Sequence, residues 1–425
     1  MRILYVVQYF NLPHEPGGSR PYQFARAWAK AGHEVTVLTG AVNHKTLSVD
    51  EKYRGRLAVS EKIDGIRVLR VWSYAGIRGS FKKRLLNFLS FAFCAALAGI
   101  VRAGKADLIY ASSTPLTVGI PGFLLSRIRR VPFVFEVRDL WPESAVALGV
   151  LRRKSLPVRL ATRLSAVLYR RAKRVVALTR GIARGVIAHK VDPEKVLFVP
   201  NGVDDWMVQA GEKEVSSPPD GVFRVVYVGA HGRANCLGTI LDAARRLADE
   251  THIEFAFYGD GDEREKLAAR AKAEGLDRVV FHGSVAKHEA FLRLREGSAS
   301  IVTTWDNGFQ KMVLANKIFD YLAAGRPVLA STDSEMADLV NEARCGLVTK
   351  PENAEELAEA IRRLAAMSRE ERDAMGSRGR LHVLEKYQRS DLAWKLLETF
   401  AELTGREANG ETDQPVPRLI PGGRV

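Results

Sequence analysis

Short apolar runs separated by helix-length segments recur along most of this chain. In the first half, residues 3–7, 107–112 and 132–137 have the length and composition of buried strands. Amphipathic stretches lie between them, including one at residues 22–31. Strands that lack polar alternation and are spaced by helices are typical of a parallel sheet covered on both faces. The pattern predicts an α/β domain in the first half.

The same alternation begins again after a linker rich in Ser, Pro and Gly at residues 216–221. Further strand-like runs follow at 225–228, 253–258, 279–282, 300–303 and 328–330. At 425 residues the chain is long enough for two domains with separate cores. We therefore predict a first domain at 1–205, a second at 206–385, a C-terminal helix at 386–404 packing back on the first domain, and a disordered tail at 405–425.

Composition narrows the class of protein. The apolar fraction of 46% and the charged fraction of 27% are those of a globular chain. Three scattered cysteines and nine histidines show no metal-ligand spacing, which predicts no metal site and favours a reducing compartment. The N-terminus continues directly into an apolar strand, so we expect no secretory signal.

Positive charge is concentrated in the first half of the chain. Residues 1–205 hold 34 Lys and Arg against 14 Asp and Glu, a net charge of +20. The other 220 residues hold 30 and 35, a net charge of −5. This asymmetry predicts that the first half meets an anionic surface or a polyanion.

Two segments of that half combine apolar and basic residues. Residues 81–102 include an apolar stretch near the lower length limit for crossing a bilayer, with basic residues at both ends. Residues 151–174 hold nine Lys and Arg, and no acid, interleaved with Leu and Val. Such helices suit the surface of an anionic membrane. The alternative is a core helix beside a solvated basic face.

The segment 314–331, LANKIFDYLAAGRPVLAS, predicts a helix with Asn316 as N-cap, ended by Gly325 and followed by a buried strand. Lys317 in the first turn opposes the helix dipole unless an anion is also present. A positive helix end plus a lysine therefore suits a phosphate group, and Asp320 one turn later suits a sugar hydroxyl. A surface Lys and Asp on an ordinary helix is the alternative.

Loops at the carboxyl ends of parallel strands bind ligands, and two such loops here have suitable residues. Gly17 and Gly18 follow the first strand, where small residues allow close approach to backbone N–H groups. Gly229, His231 and Arg233 follow the first strand of the second half. We expect these three to meet a diphosphate.

The segment EVRDLWPES places charged residues beside an aromatic ring at the end of a strand. Arg138, Asp139, Trp141 and Glu143 form this cluster, which is typical of a binding site on a loop. An Arg138–Asp139 pair that only holds the loop in place is the alternative.

Together these stretches resemble the family 4 retaining glycosyltransferases of the GT-B fold. The matching motifs are GGSRPYQFARAWAKAGHEVTVLTG, FEVRDLWPES, VPNGVD, YVGAHGRAN, FYGDGDEREKL and ANKIFDYLAAGRPVLAS, in family order over nearly the whole chain. The resemblance is greatest to the bacterial branch that builds O-antigen, capsule and exopolysaccharide, including N-acetyl-L-fucosamine transferases. It implies two Rossmann-like parallel-sheet domains facing a central cleft.

The resemblance also implies residue roles. Asp320 matches the acid that holds the nucleotide ribose, while the acid that contacts the donor sugar is replaced by Met312. Arg233 and Lys317 are expected on the diphosphate, and Asp139 near the reacting carbon, as the catalytic set. Gly17, Gly18, Gly229, His231 and Asn316 complete the expected donor site, and Arg20, Arg138, Trp141 and Glu143 the acceptor side or cleft.

The expected activity is a retaining, metal-independent hexosyl transfer without a cofactor. A UDP-linked donor, carrying an N-acetylated hexosamine or deoxyhexosamine, would transfer its sugar to a polyprenyl-diphosphate-linked saccharide at the cytoplasmic face of the inner membrane. Attachment there would be peripheral or monotopic. The alternatives are a sugar-nucleotide epimerase of the same architecture and a basic nucleic-acid-binding protein, although no nucleic-acid module is visible and we expect no such partner.

Overall fold

The computed structural model describes residues 1–13, 15, 18–43, 48–75, 81–210, 218–219 and 221–408. These residues form two compact units. The first comprises Met1–Pro200 together with the described chain from Arg389 onward, and the second comprises Asn201–Gln388. The chain thus leaves the first unit once and returns to it.

The first unit is built on one sheet of eight strands. These are β1 Arg2–Val7, β2 Glu34–Gly40, β3 Ala58–Ile63, β4 Ile66–Val71, β5 Leu108–Ser112, β6 Phe133–Val137, β7 Arg174–Ala177 and β8 Val196–Phe198. Their order is β3-β4-β2-β1-β5-β6-β7-β8, and every pair is parallel except β3 with β4. All residues of β5 and β6 are buried, which explains why most of them are apolar.

Seven helices belong to this unit. They are α1 Arg20–Lys30, α2 Phe81–Arg102, α3 Gly119–Arg129, α4 Glu143–Ala147, α5 Leu156–Arg171, α6 Arg180–Ala188 and α15 Arg389–Thr404. The last packs on α1, where the Trp28 indole N–H donates to the Ala393 carbonyl at 2.9 Å. Tyr5, Tyr110 and Phe400 surround the same indole within 5.6 Å between ring centres. This aromatic group forms the core on one face of the sheet.

The second unit has a fully parallel sheet of six strands. These are β9 Phe223–Val228, β10 Ile253–Tyr258, β11 Val279–Gly283, β12 Ala299–Thr303, β13 Val328–Ser331 and β14 Gly346–Thr349, in the order β11-β10-β9-β12-β13-β14. Its helices are α7 Asp205–Ala210, α8 Gly238–Arg246, α9 Arg264–Ala273, α10 Lys287–Glu296, α11 Asn316–Ala323, α12 Glu335–Ala343, α13 Ala354–Ala366 and α14 Arg369–Lys386. Separate apolar cores cover the two faces of the sheet.

Two α/β units with parallel sheets confirm the predicted fold class. The predicted end of α11 is also confirmed, because Gly325 follows it with a φ of +73°. The antiparallel hairpin β3–β4 was not predicted. Its turn is Asp64–Gly65, with φ values of +47° and +81°, which is a common hairpin signal. Of the tail expected to be disordered, residues 409–425 lie outside the described residues.

Candidate functional site

The loops after β9 and β10 pack directly against each other at the carboxyl edge of the second sheet. The Gly229 N–H donates to the Tyr258 carbonyl at 2.9 Å, and the His231 N–H donates to the Asp260 carbonyl at 2.8 Å. A Cβ atom on Gly259 would lie 1.8 Å from the Gly229 oxygen. The two loops therefore require glycine in order to meet.

The amino group of Lys317, in the first turn of α11, is enclosed beside these loops. It donates to Tyr227 Oη at 2.8 Å and to Asn235 Oδ1 at 2.7 Å, and lies 4.6 Å from the centre of the Tyr227 ring. Burial lowers the pKa of Lys317 to about 7. No carboxylate forms an ion pair with it among the residues that the structure describes. An enclosed ammonium with neutral partners is a group that a bound anion stabilises.

The start of α11 differs by one residue from the prediction. Asn316 is the first helical residue rather than the N-cap, and Ala315 at the cap position gives no side-chain hydrogen bond. Tyr321 fixes the helix to β9, since its hydroxyl donates to the Val228 carbonyl at 2.8 Å and accepts from the Val228 N–H at 2.9 Å. Asp320 is half-buried one turn after Asn316. These bonds hold the helix start at the strand end.

His231 and Arg233, predicted in one diphosphate site, have different surroundings. The His231 ring is fully buried and lies 5.8 Å from Tyr227 and 6.2 Å from Phe257, centre to centre. Burial lowers its pKa to about 4, with Arg264 adding to the effect, so the ring is neutral. The side chain therefore packs in the core beside Tyr227 and Phe257.

Arg233 lies in a short 3-10 turn at Arg233–Asn235 and lines a cavity of about 380 Å³. Its guanidinium lies 4.9 Å from the centre of the Trp305 ring. The same turn carries Asn235, which bonds to Lys317. Arg233 is thus joined through one short turn to the enclosed ammonium.

Met312 ends a 3-10 turn at Phe309–Met312. The neighbouring Lys311 forms an ion pair with Asp333 at 3.0 Å. The turn therefore offers an apolar side chain at the position where the family resemblance would require an acid.

In the first unit, Asp139 follows β6 and is largely enclosed. Ser144 Oγ donates to Asp139 Oδ2 at 2.8 Å. Burial raises the pKa of Asp139 to about 6; the Ser144 bond opposes the rise and the nearby Glu143 carboxylate adds to it. Its recorded side-chain partner is thus a hydroxyl, rather than the guanidinium of Arg138 that one alternative required.

The other members of this cluster lie on the same strand end. Trp141 accepts a hydrogen bond at its carbonyl from Ser165 at 2.7 Å. Glu143 begins α4 and approaches His189 Nε2 at 3.7 Å. The Arg138 N–H donates to Ser113 at 3.0 Å. The predicted residues Arg138, Trp141 and Glu143 therefore each contact a different segment of the first unit.

Arg20 was expected at the acceptor side, but the structure buries it in the first unit, where it is 1% exposed. Its guanidinium pairs with Glu136 at 2.8 Å and donates to the carbonyls of Val199 and Pro200. Burial alone would raise the pKa of Glu136, but Arg20 and Arg138 hold it below its ordinary value. Arg20 therefore does not lie at an acceptor surface, because it balances a buried carboxylate inside the first unit.

The glycine pair after β1 is only half described. Gly17 lies outside the described residues. Gly18 is exposed, and a Cβ atom added there would meet no atom within 4 Å. Gly18 therefore borders open space just before α1.

Three helices of the first unit carry exposed apolar side chains. By length and composition α2 is able to cross a membrane, and 28% of its apolar window is buried. It packs on α3, which packs on α5. The exposed side chains are Leu85, Leu86, Leu89, Phe93, Leu97, Ile100 and Val101 on α2, Ile120, Leu124 and Ile128 on α3, and Leu156, Leu160 and Val167 on α5. We call these the apolar helix surface.

The sequence analysis missed several groups that shape the site around Lys317 in the second unit. Tyr227 and Tyr321 lie within apolar runs that predict only core, yet their hydroxyls bond at the strand end. Asn235 is in a loop already selected for its glycines. The signal available in the sequence was a tyrosine, whose side chain ends in a polar hydroxyl, near the end of an apolar strand or helix.

Both units match known domain families. Residues 17–202 match the glycosyl transferase 4-like domain, and residues 222–367 match the glycosyl transferases group 1 domain. WbjE of Pseudomonas aeruginosa, described as a probable glycosyltransferase, is 28% identical over 303 residues, which are 66% of this chain and 73% of WbjE.

Solved structures share the fold. Sucrose-phosphate synthase from Thermosynechococcus elongatus has a TM-score of 0.72 at 18% identity, covering 95% of this chain and 100% of that one. HepE from Anabaena, solved in complex with UDP, has a TM-score of 0.68 at 18% identity and the same coverage. These likenesses confirm the predicted GT-B architecture.

Proposed function

We propose that this chain, whose two units match glycosyl transferase domains, transfers a sugar from a UDP-linked donor to a polyprenyl-diphosphate-linked saccharide. Transfer proceeds with retention of configuration, in the assembly of a bacterial surface polysaccharide. The observation that carries the donor part is the enclosed Lys317 ammonium, whose hydrogen-bond partners Tyr227 and Asn235 are neutral.

The chemistry explains why such a group belongs in a donor site. Breaking a sugar–phosphate bond places negative charge on the departing diphosphate. Cations already fixed in a dry environment stabilise that charge without reorganising. In our proposal Lys317 contacts the diphosphate and Asp320 binds the ribose. Arg233, in the short turn whose Asn235 bonds to Lys317, also contacts the diphosphate. Protein cations, with no metal, then balance the leaving group.

Asp139 is the proposed catalytic carboxylate. Its enclosure and raised pKa are features that accompany carboxyl groups at reaction centres, since such groups must exist near neutral pH in more than one charge state. The positive charge that develops at the anomeric carbon is the charge that a carboxylate stabilises. We assign it this role, with Ser144 as the residue that orients it.

A nucleotide donor is also supported by comparison. HepE, which shares the fold over 95% of this chain, was solved with UDP bound. The donor sugar stays open in this proposal, because the residue that would contact it is Met312 rather than an acid.

The acceptor part of the proposal places the enzyme at an anionic membrane. The apolar helix surface is exposed, and basic residues flank it at Lys82, Lys83, Arg84, Arg152, Arg153 and Lys154. Clusters of exposed apolar side chains mark interaction sites, and the basic residues beside them match anionic lipid headgroups. The lipid of a lipid-linked acceptor is embedded in the same membrane. We propose peripheral or monotopic attachment at the cytoplasmic face of the inner membrane.

A test of the donor site replaces Lys317 with Met, which has an unbranched side chain of similar length and no charge. Losing one charged hydrogen bond costs about 1.5–3 kcal/mol, so UDP should bind roughly ten- to hundredfold more weakly by isothermal calorimetry. Transfer activity from a UDP-sugar should fall in parallel. Lys272→Met, at an exposed position on α9, is the matched control and should leave both unchanged.

Equal UDP affinity in the wild type and Lys317→Met would refute the assigned role of Lys317. Absence of UDP binding by the wild type would refute the donor class itself.

A further inference from the structure

The amino group of Lys317 faces two acceptor oxygens whose orientation is fixed by one carbonyl. The Tyr227 hydroxyl donates to the Ala230 carbonyl at 2.8 Å, and the Asn235 side-chain amide donates to the same oxygen at 2.9 Å. Because the Tyr227 proton is used there and the Asn235 carbonyl oxygen has none, neither atom is able to donate to Lys317. Both instead accept from its amino group, at 2.8 and 2.7 Å.

This arrangement fits the neutral form of the amine. A neutral lysine amine has two hydrogens and one lone pair, whereas the ammonium has three hydrogens. Tyr227 and Asn235 match the two hydrogens, and the nitrogen has no third hydrogen-bond partner among the residues that the structure describes. Burial without a carboxylate partner favours the uncharged form, and the lowered pKa of about 7 agrees with this geometry. The lone pair of Lys317 is therefore free to act as a nucleophile.

One flank of the amine is kept clear by a glycine. A Cβ atom at Gly229 would lie 2.9 Å from Lys317 Nζ and 3.1 Å from Tyr227 Oη. A larger residue there would press on the amine, so the glycine leaves room beside the nitrogen. Lys317 as a whole is half-buried rather than sealed in the core. A small molecule that occupies the proposed diphosphate position therefore lies next to an uncharged amine.

An anionic electrophile suits this position better than an uncharged one. Lys317 is in the first turn of α11, where Ala315 at the cap position gives no side-chain hydrogen bond. The positive end of the helix dipole attracts a phosphate group. In an acyl phosphate the reactive carbonyl carbon is joined to the phosphorus through a single oxygen. Binding of its phosphate at the helix start would therefore bring that carbon close to the Lys317 nitrogen.

We propose that Lys317 is a site of acylation by small acyl phosphates, and that this modification prevents donor binding. The amine attacks the acyl carbon, and the bond between that carbon and the bridging oxygen breaks. Inorganic phosphate leaves and takes the proton that the nitrogen loses. The product is an amide without the charge that a diphosphate requires. The inference rests on the proposed function, because it takes the donor diphosphate to bind beside Lys317.

The test treats the full chain with acetyl phosphate at about pH 8 and follows each lysine by peptide mass spectrometry. Lysines in water are almost fully protonated at that pH, so Lys317 should be acetylated at least about tenfold faster than the exposed Lys272. Saturating UDP or inorganic phosphate should slow the reaction at Lys317 and leave Lys272 unchanged. Acetyl-CoA, whose acyl carbon is bound to sulfur rather than to a phosphate oxygen, should show no such preference.

The acetylated protein supplies a second measurement. Its affinity for UDP should be at least about tenfold weaker by calorimetry, the effect of one lost charged hydrogen bond. Unchanged affinity after selective acetylation would refute both the block and the diphosphate role of Lys317.

Asn235→Asp tests whether the neutral amine is the cause. The change keeps the side-chain shape and places a carboxylate where the amide oxygen now lies 2.7 Å from Lys317 Nζ. An opposite charge at that distance favours the ammonium, so acetylation of Lys317 should slow at least about tenfold while Lys272 reacts as before. Asn341→Asp, at an exposed position on α12, is the matched control and should change neither rate.

Three results would overturn the proposal: equal acetylation of Lys317 and Lys272 in the wild type, an equal preference for Lys317 with acetyl-CoA, or an undiminished rate in folded Asn235→Asp. The first two need no variant, so they hold even where Asn235→Asp does not fold. Each of them alongside normal UDP binding leaves the donor assignment intact. Absence of UDP binding by the untreated wild type refutes that assignment instead.

Discussion

At the scale of single residues, burial shifts the pKa values of Lys317 and Asp139 toward neutrality, one from above and the other from below. The pKa of Lys317 falls to about 7 and that of Asp139 rises to about 6. Loss of water disfavours the charged form of each group, so a base loses its proton more easily and an acid holds its proton longer. Both are therefore able to change charge near the working pH of a cell.

This gives UDP binding a predictable pH dependence. Lys317 must be protonated to hold an anion, and bound diphosphate raises its pKa above the free value of about 7. Affinity should be constant well below pH 7 and fall as the pH rises above 7, by up to about tenfold per unit. The number of protons taken up on binding should therefore rise from none well below pH 7 toward one above it. Calorimetry in buffers of different ionisation enthalpy between pH 6 and 9 measures both quantities. Lys317→Met should have no such slope; a wild type with the same flat profile would contradict the prediction.

Asp139→Asn should separate turnover from stability. As the proposed catalytic carboxylate, its loss should lower kcat by about a hundredfold or more while UDP affinity stays unchanged. The native pKa of about 6 exceeds the ordinary value of 3.8, so the charged form destabilises the fold above pH 6 and this cost disappears as the pH falls from 6 to 4. The variant should therefore be more stable than the wild type at pH 7, on the order of 1–3 kcal/mol, with a smaller gain at pH 4.

Denaturant unfolding at both pH values and steady-state kinetics provide the measurements. Asp249→Asn, at an exposed position, should change neither property. Full kcat in Asp139→Asn would assign the carboxylate to loop structure alone.

At the scale of elements, the site around Lys317 depends on how closely the loops after β9 and β10 approach each other. Gly259 leaves no room for a Cβ atom beside the Gly229 oxygen, and Tyr321 and Lys317 connect α11 to the same strand end. The site residues are thus positioned by backbone contact between the loops after β9 and β10 and by side-chain hydrogen bonds from α11 to β9. A change in one loop should act on the ligand site through the other.

Gly259→Ala tests this dependence. The new methyl group would meet the Gly229 oxygen at 1.8 Å, so the loops must separate. We expect a loss of about 2 kcal/mol or more in the free energy of unfolding, together with weaker UDP binding. Gly232→Ala, in the facing loop after β9, is the control, because its φ is −109° and a Cβ atom meets nothing within 4 Å. Similar melting temperatures for both variants would show that the loops adapt.

The elements that sequence could predict are those whose signal is local. Continuous apolar runs gave most strands, and Gly325 with the following proline gave the end of α11. The β3–β4 hairpin was not predicted because charged residues alternate with apolar ones in these strands at the edge of the sheet. Only the Asp64–Gly65 turn indicates the hairpin. For Arg20 and His231 the sequence indicated the right segments, at the start of α1 and in the loop after β9. Whether a side chain faces solvent or core depends on distant partners such as Glu136 and Phe257, and residue spacing does not encode them.

At the scale of the whole molecule, the first half carries a net charge of +20 and the first unit exposes the apolar helix surface. Charge provides reversible attraction to anionic lipid, on the order of 1 kcal/mol for each basic residue near the surface. Apolar burial adds attachment that salt does not remove. The two features occur together in one unit, which favours a single membrane-facing surface.

Reversing charge at four basic positions should weaken this attachment. Glu at Arg152, Arg153, Lys154 and Arg159 should release protein from vesicles containing anionic lipid and slow transfer to a lipid-linked acceptor. Donor hydrolysis, which needs no membrane, should persist. The control places the same four charge changes on the second unit, at Lys272, Arg363, Arg369 and Lys386, which are exposed. Equal sedimentation of both variants with vesicles would exclude a specific basic surface.

The return of the chain at Arg389 also affects how the protein is made. The Trp28 indole is fully buried, and its N–H bonds to Ala393, which the ribosome adds after all 188 residues of Asn201–Gln388. At about 5–20 residues per second that interval lasts roughly 10–40 s. During it the first unit lacks α15, and the face of α1 that carries Trp28 remains open. The N-terminal unit is therefore the last to be completed, and a nascent chain that terminates before residue 389 becomes a substrate for chaperones or proteases.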